Sequence, residues 1–135
     1  LILIDDLQAK LSKSEALTRL TTVLTHHKRL NVTFIGHSIY AHNDSYYRTF
    51  LNNLAIFAIS LSPRAKTAYL KLTQQIFGIQ KARLFEKIFE TAKADSKNCG
   101  SNFPYLFINV HLSAAEEARI FILPFSRFPI IYTLQ

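Results

Sequence analysis

The chain of 135 residues has no methionine and no tryptophan, a single cysteine (Cys99), and only three glycines, Gly36, Gly78 and Gly100. One cysteine excludes an internal disulfide framework and a cysteine-built zinc site. It fits an intracellular, reducing compartment: host nucleus, cytoplasm or a virus particle. No glycine is followed by lysine, so the Gly-x-x-x-x-Gly-Lys loop that cradles phosphates is missing from these residues. No apolar run approaches the roughly 18–20 residues of a membrane span, and no membrane partner is expected. Acidic residues are scarce, nine against sixteen Lys and Arg, for a net charge of +7 and a pI near 9.7. That balance favours polyanions such as nucleic acid, nucleotides or an anionic surface.

Apolar side chains are plentiful. Hydrophobic residues make up 49% of the chain, with 11 Phe and 6 Tyr, enough for a packed core. The length suits one domain or part of one. Residue 1 already lies inside an apolar run, so the chain reads as the C-terminal portion of something larger, or as a truncated copy.

Leu1-Ile2-Leu3-Ile4 runs directly into Asp5 and Asp6. A continuous apolar run predicts a strand buried on both faces, as in a parallel sheet. Ser12 with Glu15 is a capping-box pattern opening a helix that runs to about Lys28. Residues 31–36 form a second core strand, with His37 just past its end. A short helix over 46–52 and a strand over 54–60 follow. Ser62-Pro63 opens a helix that Gly78 stops. A further helix covers about 80–94, a loop 95–102, and strands 103–110 and 119–123. The tail is irregular, apart from an extended piece at 130–132. Strands alternating with helices predict an α/β fold with a mainly parallel sheet. About eight residues join the two late strands, too few for a parallel crossover, so that pair is antiparallel.

Several residues have both a chemical and a structural reading. Asp5 and Asp6 stand where α/β sheets bind ligands. Asp5 suits a magnesium shell and Asp6 an attacking water; alternatively they form a helix cap or a surface acid pair. His37 could donate to a phosphate or a water, or be held by backbone. Arg48 could reach a phosphate, in the same or a neighbouring subunit, or sit in a salt bridge or on a solvated face. His26 and His27 are adjacent on a helix and do not face one another, which suits a helix end better than a metal. Between residues 61 and 93, Arg64, Lys66, Lys71, Lys81, Arg83, Lys87 and Lys93 outnumber Glu86 and Glu90. Such helices could follow a nucleic-acid backbone, or be an ordinary solvated face.

Taken in order, these pieces resemble the C-terminal half of the FtsK/HerA-type genome-packaging ATPases of Maverick/Polinton and adintovirus-like elements, relatives of poxvirus packaging ATPases. Ile4-Asp5-Asp6-Leu7, His26-His27, the strand Val32 to Gly36, Tyr40, Arg48-Thr49, Asn53, Leu54 to Ile59 and Pro63-Arg64 carry the resemblance. Tyr105 to Ile108 and Arg119 to Pro124 resemble the closing strand pair. The resemblance implies a partial P-loop NTPase, a three-layer sandwich lacking its phosphate-loop unit. Residues 1–60 would carry the Walker B and sensor strands, 61–94 the basic helices and 103–135 the closing strands. It implies ATP and Mg2+ as cofactors, with Asp5 and Asn53 on the nucleotide side, Asp5 on magnesium through water, and Asp6, His37 and Arg48 as catalytic candidates. Arg64, Lys66, Lys71, Lys81, Arg83 and Lys87 would face nucleic acid. Double-stranded DNA, a homo-oligomeric ring and capsid or portal components are the implied partners. His37 replaces the family's Gln, Ser38 its Asn and Ala65 the acid after Pro-Arg. With no phosphate loop, the isolated chain is expected to be inactive. The competing expectations are a non-catalytic polyanion-binding remnant and an unrelated α/β domain.

Overall fold

The computed structural model describes residues 2–5, 14–28, 31–37, 45–102, 104–111, 113–115, 119–123 and 128–133. Within these, the side chains of residues 17, 24, 26, 28, 45–48 and 82 are not described. The chain divides into two compact units, Leu1–Leu54 and Ala55–Gln135.

The first unit pairs β1 (Ile2–Asp5) with β2 (Val32–Ile35) in parallel. Their register sets Ile2 opposite Val32 and Asp5 opposite Ile35. Between them run α1 (Glu15–Arg19), a π-helical turn (Leu20–Leu24) and α2 (Thr25–Lys28). The π turn has a local cause. The Thr22 and Thr21 hydroxyls both donate to the Thr18 carbonyl, at 2.8 and 3.1 Å, and the Thr25 hydroxyl donates to Thr21 at 2.7 Å. Hydroxyls competing for carbonyls of the preceding turn loosen the helical ladder. The Thr25 amide then bonds back to Leu20, five residues away. The helix α3 (Ser45–Asn52) supplies Phe50, the centre of a small core with Ile4, Leu20, Phe34, Leu51 and Leu54. Phe34 meets Phe50 edge-on at 5.1 Å.

The second unit is a four-stranded sheet in sequential order: β3 (Ile56–Ser60), β4 (Tyr105–Asn109), β5 (Ile120–Ile122) and β6 (Ile130–Tyr132). All three pairings are antiparallel. Two helices, α4 (Lys66–Phe77) and α5 (Ala82–Asn98), connect β3 to β4. The Gly78 backbone at φ 85° ends α4, its N–H bonded to the Gln74 carbonyl. That conformation favours glycine. Phe57, Ile59, Leu106, Ile108, Ile120 and Ile122 are buried on one sheet face. Tyr69 and Leu72 of α4, and Phe85, Ile88, Phe89 and Ala92 of α5, complete the core.

The structure is α/β, but three expectations need correction. The sheet is not mainly parallel: β3 begins an antiparallel meander, and among the described residues only β1 and β2 run in parallel. The reason is the pair of helices. Phe77 packs on Phe85 and Tyr69 on Phe89, so α5 runs back along α4. The chain returns to the sheet end it left, and β4 must run against β3. Nor is β1 buried on both faces, since Leu3 is 62% exposed. Finally, α5 continues through the expected loop to Asn98, where Gly100 at φ 74° ends it. The antiparallel late pair and the extended piece at 130–132 both occur, the latter as β6.

Candidate functional site

Asp5 closes β1 and is exposed. Its register partner Ile35 closes β2, and the exposed His37 follows two residues later. In a parallel pair both chains leave at the same end, so Asp5 and His37 belong to one sheet edge. This is the C-terminal edge, where α/β sheets bind ligands. Asp6 lies outside the described residues. Arg48 is within α3, but its side chain is not described. The Asn53 side-chain amide donates to the Thr49 carbonyl at 2.7 Å, closing the last turn of α3.

Magnesium takes hard oxygen ligands, commonly one or two carboxylates with phosphate and water completing the shell. An exposed carboxylate at a strand end fits a magnesium shared with a nucleotide. Among the described residues no group of three His, Cys, Asp or Glu could hold a metal ion.

The basic segment is partly self-neutralised. The Lys66 ammonium sits 2.9 Å from Glu90 and 3.0 Å from Glu86, tying α4 to α5. The hydrogen bonds that Lys66 donates to Glu90, and then to Glu86, raise its pKa above the ordinary value. The bond to Lys66 lowers that of Glu90. Arg64, Lys71, Arg83 and Lys87 are exposed and Lys81 is half-buried. Arg83 and Lys87, four apart on α5, share one helix face. With Glu86, Glu90 and Thr91 they line a shallow open groove.

Three features escape a reading of the sequence. The Tyr69 hydroxyl is fully buried and has no hydrogen-bond partner among the described residues. Burial pushes its pKa well above the usual phenol range. Tyr132 donates to Asp95 at 2.8 Å, joining β6 to α5, and burial followed by that bond raises its pKa too. The third is the exposed sheet face of the second unit, which is apolar. Comparison of the chain with protein-family models, curated proteins and solved structures finds no match.

Proposed function

We propose that this chain is the part of a nucleotide-driven DNA motor that runs from its magnesium-binding strand onward. The reading rests on the resemblance and on one structural observation: the parallel β1–β2 register gives Asp5 and His37 a common sheet edge. In this reading the chain is a partial P-loop domain of a virus-like element. The parent hydrolyses ATP as a ring of subunits and moves double-stranded DNA into a capsid.

Bound Mg-ATP would supply the leaving group and the cation that neutralises charge on the phosphates. This chain's residues would position it. Asp5 would help to hold the magnesium through water, and Asp6 would orient or deprotonate the attacking water. His37 would donate to phosphate or water, and Arg48 would meet phosphate within or between subunits. Asn53 remains a nucleotide-side candidate by spacing alone. The phosphate loop supplies most phosphate contacts in such sites, so the isolated chain should bind ATP weakly. The test is ATP hydrolysis by the full-length product of the gene. Asp5→Asn should lower kcat by about 100-fold or more, a loss typical of electrostatic groups at a reacting centre. Full activity in that variant, or no hydrolysis by the full-length product, would overturn the reading.

A second reading is supported by the exposed pair Arg83 and Lys87: polyanion binding without catalysis. Removing both should lower DNA affinity and reduce the slope of log K against log salt by about 1.8, two phosphate contacts' worth. An unchanged slope would remove these residues from any DNA interface.

A further inference from the structure

The second unit packs its helices on one sheet face, and the described residues of the other face are exposed or half-buried. On that open face, Ala58, Phe107, Phe121 and Ile131 form one cross-strand row through all four strands. The rings of Phe107 and Phe121 stack at 5.3 Å with planes 9° apart. Around them lie Ile56, Tyr105, Leu123 and Ile131, each about half exposed at 52, 47, 53 and 50%. The rim is polar. Ser60 flanks Tyr105, and Asn109 flanks Arg119, whose guanidinium donates to the Asn109 carbonyl at 3.4 Å. A contiguous apolar face with a polar rim marks an interaction surface.

Size and charge choose its occupant. Strands lie about 4.8 Å apart and alternate residues about 7 Å apart along them, so the face measures roughly 14 Å by 14 Å, near 200 Å² in projection. A second copy would bring another net charge of +7 against Arg119, which opposes self-association through this face. One helix fits: it is about 10 Å wide, and ten residues span about 15 Å. Arg119 is the one charged group on the face among the described residues, and the whole chain carries +7. Acidic groups would complement it. Stacked nucleic-acid bases suit the face less well, because the two Phe rings cover one another and three of the most exposed members, Ile56, Leu123 and Ile131, are aliphatic.

We infer that the open face of the antiparallel sheet docks one amphipathic helix of a partner protein, its apolar stripe on Phe107, Phe121 and Ile131 and an acidic flank towards Arg119. This surface does not depend on the nucleotide reading. The probe is a fluorescein-labelled helical peptide with a leucine stripe and glutamate flanks, titrated with the full chain by fluorescence anisotropy. A peptide with the same stripe and lysine flanks is the control. Saturable binding is expected for the acidic peptide and about 10-fold weaker binding for the basic one, since rim charge discriminates between partners. Ile131→Asp and, separately, Leu123→Asp should each weaken binding by about 10-fold or more while far-UV circular dichroism stays unchanged, because both positions are exposed and the charge desolvates on docking. No saturable binding, or binding that neither substitution weakens, overturns the proposal. So does displacement of the peptide by single-stranded oligothymidine, which would make the face a nucleic-acid platform. Concentration-dependent dimerisation lost in both variants would assign it to a second copy and overturn it equally.

Discussion

Tyr69 is the residue where burial and chemistry conflict most openly. Its ring packs on Phe85 and Phe89, while its hydroxyl finds no partner among the described residues. An unmade buried hydrogen bond costs about 1–3 kcal/mol. Tyr69→Phe keeps the ring and removes the orphan, so chemical denaturation should show stability unchanged or raised by about 1 kcal/mol. A loss of that size would mean that the hydroxyl is satisfied. The clasp around Lys66 predicts a pH effect with two arms. Glu90 has a lowered pKa, so its contribution is present above the ordinary carboxylate value and fades as pH falls through the lowered one. Lys66 has a raised pKa, so its contribution is present below the ordinary lysine value and fades as pH rises through the raised one. Glu90→Gln should therefore flatten the acid arm of a stability–pH curve and leave the native circular dichroism at neutral pH unchanged. An unaltered acid arm would remove the pair from the folding balance.

Among the elements, some features are legible in the sequence and others are hidden for identifiable reasons. The α4 stop is legible because Gly78 follows an apolar-periodic segment and adopts φ 85°. No atom lies within 4 Å of the space a Cβ would occupy there, so Gly78→Ala pays for backbone conformation alone. It should cost about 1–3 kcal/mol in denaturant unfolding, the penalty of a backbone region open essentially to glycine alone. The sense of β3 is hidden. Its burial alternates strictly, with Phe57 and Ile59 inside and Ile56, Ala58 and Ser60 outside. The outward Ile56 and Ala58 are apolar as well, so the period of two vanishes from the sequence and the strand reads as buried on both faces. The same masking makes Leu3 and Ile35 look internal, although both are exposed. The late antiparallel pair was legible from the length of its connection alone. At the candidate site, the apolar strands and their edge residues Asp5 and His37 were legible. The capture of Lys66 by Glu86 and Glu90 was not, because it joins residues twenty or more apart.

At the scale of the whole molecule, the buried apolar side chains among the described residues lie mainly in the second unit. Among the described residues, Phe50 is the fully buried centre of the first unit, whereas the second buries residues from β3, β4, β5, α4 and α5. Amide protection follows such density. Hydrogen exchange read by mass spectrometry should show β4 and α5 exchanging more slowly than β1 and β2. Equal protection would mean that the parallel pair is supported by more than the Phe50 cluster. Asp5 and His37, the candidate nucleotide-side residues, lie in the first unit. If these residues belong to a nucleotide site, as we propose, its phosphate loop is encoded before them. The nucleotide sequence immediately upstream of the Leu1 codon decides the matter. An in-frame apolar strand followed by Gly-x-x-x-x-Gly-Lys-Ser/Thr is expected there. A stop codon, a frameshift or an unrelated sequence there would contradict the proposal.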